Sequence, residues 1–231
     1  MTTYSNSSTD GLREQPAYGL AEASRYLKLP AATLRTWLVG REYPKGKGTE
    51  HWKPLIQPAQ KDPVLLSFWN LVEAHVLRAL RTEHGTSIKA LRDALEFAER
   101  KLRIERLLLH RDLKTAAGRL FLDRYGQLIE LSASGQLAMR KMFEEHLDRV
   151  EWDEWSFPIR LYPFVAGQGR SKPIAIDPKI AFGRPIVLRT GISTAAIVQR
   201  LDAGESPADL ADDYELNESE IEEAVLYERA A

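Results

Sequence analysis

The residues best suited to chemistry form a polar and basic cluster early in the chain. Its members are hydrogen-bonding or cationic side chains on a short predicted helix and the loop after it: Thr33, Arg35, Thr36, Arg41, Lys45, Lys47 and Lys53. In many DNA-binding proteins a recognition helix reads base edges in the major groove, while neighbouring cations bind phosphates. The cluster therefore predicts a DNA-contacting surface. The alternative is an ordinary helical hairpin beside a solvated, lysine-rich loop.

Two short helices must position this cluster, with Pro30 at the start of the second. Leu34, Trp37 and Leu38 form the apolar stripe of the second helix, which leaves its threonines and its arginine outward. The break before Pro30 is only a few residues long, as a helix-turn-helix requires. Residues 39–63 are rich in glycine and proline, which favours a short β-ribbon or loop. Together these features predict a winged helix-turn-helix.

Other kinds of site chemistry find little support in the sequence. The chain has no cysteine, which excludes disulfides, thiol catalysis and thiolate zinc sites. The histidines lack the spacing of metal ligands and are scattered along the chain: His51, His75, His84, His110 and His146. The adjacent acidic pairs at 144–145 and 212–213 place their carboxylates on different helix faces, which suits solvation rather than acid–base catalysis. We therefore predict a protein that is not an enzyme and that needs no metal or cofactor.

Length and composition indicate an ordinary globular protein. The 231 residues are 44% hydrophobic and 28% charged, which suits one or two compact units with room for a small third. No apolar run approaches the roughly 18 residues that a membrane span needs, and the polar N-terminus lacks the pattern of a secretion signal. We expect a soluble, cytoplasmic protein.

The net charge of −1 conceals an uneven distribution. Residues 1–200 carry 31 Lys and Arg against 22 Asp and Glu, a balance of +9. Residues 201–231 carry only Arg229 against 11 acids, a balance of −10. A basic body suits a nucleic-acid partner, whereas nucleic acid would repel the acidic tail.

Changes of pattern divide the chain into four predicted units. They are a flexible arm over residues 1–17, a winged helix-turn-helix domain over 18–110, a small α+β unit over 111–165, and a three-helix, helix-turn-helix-like unit over 174–231. A glycine-containing linker over 165–173 separates the last two. The predicted fold class is therefore mainly α with a small α+β middle.

The predicted α+β unit has its own local signals. Alternating leucines around Tyr125 predict a β-hairpin, and a helix over 134–149 and a strand over 158–162 follow it. Trp152 and Trp155 suit three roles: base stacking, a dimer contact or core packing, which is the commonest place for tryptophan.

Residues 18–92 resemble the N-terminal domain of MerR-type regulators. The shared features are a tyrosine that opens the first helix (Tyr18), T-L-R-x-W from Thr33 to Trp37, an N-L-x-E helix from Asn70 to Glu73, and G-x-S from Gly85 to Ser87. In that family the arginine of the second helix, here Arg35, and residues of the wing contact DNA. The usual G-V-S turn is replaced by residues 28–30, and no recognisable ligand pocket follows the long helix.

The C-terminal part is similar to the small helix-turn-helix family of VapB-like antitoxins. The similarity covers Ile176–Ser193, with D-P-x-I-x-x-G-x-P, and Gly204–Tyr214, with G-x-S and a closing D-Y. The residues at 188–191 depart from the usual I-x-G-T-R run. With the α+β middle included, the chain from about residue 18 onward resembles the longer, two-headed members of that group. The resemblance implies an antitoxin of a type II toxin–antitoxin system that neutralises a PIN-type ribonuclease toxin and represses its own operon.

The acidic last helix qualifies that implication. A DNA-reading face should be neutral or basic, because affinity rests on neutralised phosphates. We therefore predict that the second helix-turn-helix unit does not read DNA. Its acidic surface is either solvated without a partner or covers a basic RNA-binding groove on the toxin, through Glu220, Glu222 and Glu223.

Two other functions remain open. One is a MerR-like transcriptional regulator without a toxin partner, and the other is a structural adaptor whose helix-turn-helix units mediate protein contacts only. A homodimer is expected, because helix-turn-helix readers commonly pair half-sites about one DNA turn apart.

Overall fold

The structure is a computed structural model that describes residues 8–46, 48–81, 88–102, 106–110, 122–124, 133–163 and 172–230. Helices predominate among these residues, and short antiparallel strands accompany them, so the mainly helical prediction is confirmed. Lys47, the predicted hairpin around Tyr125 and most of the predicted linker lie outside the described residues. In the described part of the chain, no helix is both long enough and apolar enough to cross a membrane.

Helix α1 (Ser8–Glu14) occupies part of the segment that the sequence predicted as a flexible arm. Its Arg13 is only 5% exposed, and the guanidinium pairs with the Asp153 carboxylate at 2.7 Å. Residues 8–14 are thus a docked helix rather than an arm. The local sequence gave no sign of this, because the partner of Arg13 lies far away along the chain.

The next elements form the predicted bihelical unit and a hairpin: β1 (Tyr18–Gly19), α2 (Leu20–Leu27), α3 (Ala31–Val39), β2 (Arg41–Lys45) and β3 (Gly48–Trp52). Helix α2 ends at Lys28, whose backbone is left-handed with φ 52°, and Pro30 is the N-cap residue of α3. Leu34, Trp37 and Leu38 are buried as predicted. Strands β2 and β3 pair antiparallel, with Arg41 opposite Trp52.

A second group of elements forms the main core with α2 and α3. They are β4 (Gln60–Lys61), β5 (Val64–Leu66), α4 (Phe68–Arg81) and α5 (Ile88–Leu102). Strand β5 lies between β1 and β4 in a three-stranded antiparallel sheet, with Tyr18 opposite Leu66. Helix α4 is buried along most of its length and lies at the centre of this core.

A four-stranded antiparallel sheet crosses the predicted boundary between the last two units. Helix α6 (Ala133–Leu147) precedes it, and the strands in spatial order are β6 (Val150–Trp152), β7 (Pro158–Leu161), β8 (Ile174–Ile176) and β9 (Pro185–Val187). Helix α6 and strand β7 lie close to the predicted elements. Strands β8 and β9 were not predicted from the sequence, because a three-residue apolar run shows no period from which a strand can be inferred.

The C-terminal unit contains the three predicted helices: α7 (Thr194–Asp202), α8 (Pro207–Tyr214) and α9 (Glu218–Arg229). The Ser206 hydroxyl caps α8 by accepting the Asp209 N–H at 3.1 Å. In the capping box of α9, the Glu220 carboxylate accepts the Asn217 N–H at 2.8 Å. The starts of α8 and α9 could therefore be predicted from local signals alone.

The C-terminal unit packs against the N-terminal helices through two tyrosines. The Tyr227 hydroxyl donates to the Tyr26 carbonyl at 3.0 Å, and both residues are buried. The Tyr18 hydroxyl donates to the Gly183 carbonyl at 3.1 Å. The Lys28 ammonium lies 4.3 Å from the centre of the Tyr227 ring, and burial lowers the pKa of Lys28. The turn between α2 and α3 is thus covered by helix α9.

Candidate nucleic-acid interface

Helix α3 presents one exposed cation on its outward face. Arg35 is exposed, whereas Thr33 and Thr36 are half-buried. The Thr36 hydroxyl donates to the Ala32 carbonyl one turn earlier at 2.9 Å, which leaves its lone pairs for a further donor. The inward and outward sides of α3 follow the sequence prediction, and Arg35 is its most accessible polar group.

The β2–β3 hairpin places further cations beside α3. Arg41, at the start of β2, and Lys53, just after β3, are both exposed. Lys45 is the last residue of β2, in register with Gly48. The backbone carbonyl of Lys53 accepts a hydrogen bond from the Arg92 guanidinium, which ties the end of the hairpin to α5.

A glycine and a returning backbone segment fix the hairpin to the end of α3. Gly40 joins α3 to β2 with φ +83° and ψ −170°, and the Trp52 carbonyl packs directly against its Cα. After the hairpin, the N–H groups of Leu55 and Ile56 donate to the Trp37 carbonyl at 2.8 and 3.0 Å. These bonds satisfy an acceptor at the C-terminal end of α3 that would otherwise need water.

Asn70 holds the loop that follows the hairpin. Its side chain, only 1% exposed, accepts the Ala59 N–H at 2.9 Å and the Ser67 N–H at 3.1 Å, and donates to the Gln57 carbonyl at 2.9 Å. It also donates to the Glu73 carboxylate at 2.9 Å. The first residue of the N-L-x-E motif therefore serves to position the loop rather than to contact a ligand.

Glu73, the last residue of the motif, is nearly buried and forms an ion pair with Arg106, whose side chain is 39% exposed. The Arg106 guanidinium donates to its two carboxylate oxygens at 3.0 and 2.8 Å. This two-pronged geometry is the stronger form of an arginine–carboxylate pair. The pair ties α4 to the 3₁₀ turn at Leu107–Leu109.

An open groove of about 1310 Å³ connects these features. Arg35 and Lys53 both line it, so the structure brings together two of the residues predicted from sequence. Lys61 and Arg106 also line the groove, and neither was among the predicted DNA contacts. Lys61 belongs to β4 and lies opposite Val64 of β5, three residues later in the chain.

The predicted acidic contact surface is largely engaged within the C-terminal unit. The Arg189 guanidinium donates to both oxygens of Glu220, at 3.0 and 2.7 Å, and lowers the pKa of that carboxyl. Glu222 is exposed and Glu223 is half-buried, and burial together with the Glu222 charge raises the pKa of Glu223. Of the three predicted residues, Glu222 is the one most open to a partner.

Two arginines from outside the counted tail neutralise part of its charge. Besides Arg189, Arg200 on α7 binds Glu205 and also Asp213, the latter at 2.6 Å. The balance of −10 over residues 201–231 therefore overstates the charge that this unit presents to a partner.

No metal site is evident in the described part of the chain: no three His, Asp or Glu side chains converge there as a metal ion would require. His75 and His146 are buried side by side, with ring centres 5.4 Å apart. His75 belongs to α4 and His146 to α6.

Two protein families match separate parts of the chain. Residues 16–95 match a family described as "Putative DNA-binding HTH domain", and residues 174–227 match one described as "Protein of unknown function (DUF433)". The likeness to MerR-type regulators stays a prediction.

Relatives align with almost the whole chain. The protein named "Putative antitoxin VapB45" from Mycobacterium tuberculosis is 29% identical, over 91% of this chain and 92% of its own length. "Uncharacterized protein Rv2308" from the same organism is 23% identical, over 95% and 93%. The crystal structure of Rv2018 from M. tuberculosis superposes with a TM-score of 0.66 at 23% identity, over 91% of this chain and 97% of that one. The chain thus shares a fold with a solved structure, is similar along nearly its full length to a protein named as an antitoxin, and begins with a match to a helix-turn-helix family.

Proposed function

We propose that this protein is the antitoxin of a type II toxin–antitoxin system. It binds operator DNA as a homodimer, with the β2–β3 hairpin as the wing of a winged helix-turn-helix, and represses its own operon. It also neutralises a PIN-type ribonuclease toxin by direct contact. It is a regulatory protein of the cytoplasm rather than an enzyme.

The observation that carries the DNA-binding part is the exposed Arg35 on α3, which lines one groove with Lys53, together with the exposed Arg41 at the start of the hairpin. A helix that reads bases needs an accessible side chain of this kind, and flanking cations bind phosphates on either side. Lys45 and Lys47 extend the same basic run, and Thr33 and Thr36 complete the proposed contact set. The match of residues 16–95 to a DNA-binding family supports this assignment.

Replacing Arg35 with alanine is expected to weaken binding to the operator by about 1–3 kcal/mol and to reduce discrimination between operator and unrelated DNA, since the variant loses a base contact. Fluorescence anisotropy with a duplex from the protein's own upstream region measures both quantities. Arg100→Ala, which removes an exposed arginine from α5, is the matched control and should bind as the parent does.

Replacing Arg41 or Lys53 with glutamine has a different expected signature. Each should weaken binding to all DNA sequences alike and reduce the slope of log affinity against log salt by about one, because each removes one phosphate contact. Salt-independent binding, or full specificity in Arg35→Ala, would contradict the proposed interface.

The antitoxin part is supported by the similarity to the protein named VapB45 along nearly the full chain. Affinity purification from the native host should recover a small nuclease in stoichiometric amount. Glu220 already binds Arg189 and the Asn217 N–H, so we centre the toxin contact on the exposed Glu222, with Glu223 next to it in the helix.

Reversing Glu222 and Glu223 to lysine is expected to abolish capture of the nuclease while the circular dichroism of the purified protein stays that of the parent. Retained capture would contradict the acidic contact. Recovery of the protein with its upstream DNA but without any nuclease would favour a MerR-like regulator that has no toxin.

A further inference from the structure

Phe182 lies almost wholly in water, in the loop between β8 and β9. Its side chain is 93% exposed, and the cationic residues Lys179 and Arg184 on either side of it are exposed as well. Single exposed apolar residues are common on protein surfaces. A phenylalanine presented to this degree between two cations instead resembles an anchor residue of a protein interface.

The backbone holds Phe182 outward at an energetic cost. Ala181, Phe182 and Gly183 all have positive φ, of 47°, 56° and 74°, although the first two carry side chains that disfavour this region. The Tyr18 hydroxyl bonds the Gly183 carbonyl, and a Cβ at Gly183 would lie 2.1 Å from the Tyr18 oxygen. Tertiary contacts therefore hold the loop in a conformation that the intrinsic backbone preferences of its residues disfavour.

A second exposed aromatic residue lies at the same end of the four-stranded sheet. Trp155, 69% exposed, belongs to the turn between β6 and β7, next to Ser156 with φ 67°. The Arg160 guanidinium of β7 binds Asp177, just after β8, at 2.9 Å. The β6–β7 turn and the β8–β9 loop thus emerge from one end of the sheet. We call Trp155 and Phe182 the aromatic edge.

Helix α9 carries a surface of complementary character. Glu218, Glu222 and Leu226 are spaced by four residues and are all exposed, so they form one stripe along the helix. Leu226 is 57% exposed. We call these three residues the acidic stripe, which combines the apolar Leu226 with two carboxylates. The β8–β9 loop of the aromatic edge combines the apolar Phe182 with two cations instead.

We propose that the aromatic edge of one copy of this chain docks on the acidic stripe of a second copy. Lys179 and Arg184 would face Glu218 and Glu222, while Phe182 packs on Leu226. In a two-fold dimer the same contact occurs twice, since each copy supplies both surfaces. Glu222 is also a proposed toxin contact, so a bound toxin and a second copy would exclude each other on α9.

A charge-swap experiment on the purified full-length chain tests this interface, without DNA or toxin, by analytical ultracentrifugation. The parent protein is expected to be a dimer. Lys179→Glu with Arg184→Glu, and separately Glu218→Lys with Glu222→Lys, should each raise the dimer dissociation constant at least about tenfold, because like charges then face each other. An equimolar mixture of the two variants should restore the dimer, since both contacts of the mixed pair are complementary again.

Two further variants complete the test. Phe182→Ser should also dissociate the dimer, and its exposed position leaves the fold intact, which circular dichroism verifies. Lys141→Glu reverses an exposed charge on α6 and should leave the dimer unchanged. A monomeric parent, a dimer insensitive to either reversal, or a mixture that stays monomeric would each overturn the proposal. None of these outcomes depends on whether the protein binds DNA or a toxin.

Discussion

Replacing Gly40 with alanine is expected to lower the free energy of unfolding by about 3 kcal/mol or more. The backbone at Gly40 has φ +83° and ψ −170°, a combination that essentially only glycine adopts. An added Cβ would also lie 2.0 Å from the Trp52 carbonyl oxygen and 2.8 Å from the His51 ring. The Trp52 carbonyl and the His51 ring both belong to β3. The hairpin must therefore move away from α3 to relieve the steric clash with the added Cβ. Operator binding should therefore fall together with stability.

Gly46→Ala is the matched control for this prediction. Gly46 also has positive φ, at +61°, but a Cβ there would meet nothing within 4 Å. We expect a loss of about 1–2 kcal/mol, which is the cost of the left-handed conformation alone. Urea unfolding of the three proteins measures the difference. Equal stability of the two variants would show that the Gly40 contact with Trp52 is not a constraint.

Lowering the pH from 6.5 to 5 is expected to reduce stability by about 2 kcal/mol through His75 alone. Burial, aided by the neighbouring His146, lowers the pKa of His75 to about 3, against about 6.5 in an unfolded chain. Between these values the unfolded chain holds a proton that the folded chain does not. The stabilisation is therefore complete above pH 6.5 and declines as the pH falls towards 3.

The hydrogen bond that His75 makes determines which substitution best tests this prediction. Its Nε2 lies 3.1 Å from the His146 carbonyl oxygen, which can only accept, so the neutral ring carries its proton on Nε2. His75→Gln keeps a donor and removes the titration. Its unfolding free energy should therefore vary less steeply with pH than that of the parent. Parallel curves for the parent and His75→Gln would mean that folding does not shift the pKa of His75.

Several features of the candidate interface were predictable because their signals are local. The period of Leu34, Trp37 and Leu38 fixed the outward direction of Arg35, and Pro30 marked the start of α3. The capping signal at Ser206 likewise located the start of α8. Helices repeat their environment every few residues, so a short window of sequence contains the information that defines them.

Other features depend on partners that are distant in sequence. Arg13 is buried because Asp153, 140 positions later in the chain, receives its guanidinium. The sequence overstated the negative charge that the C-terminal residues present to a partner, because Arg189 forms an ion pair with Glu220 in the folded protein. No local window of sequence contains both members of these pairs.

By itself, the sequence determined that the chain is mainly helical, where α3 and the C-terminal helices begin, and which face of α3 carries Arg35. Tertiary structure alone decided that the C-terminal unit packs on the turn between α2 and α3, and that Phe182 is held out into water. Both follow from contacts of Tyr18 and Tyr227 with residues some 165 and 201 positions away. Periodicity and capping are properties of adjacent residues, whereas the meeting of two surfaces depends on the packing of the whole chain.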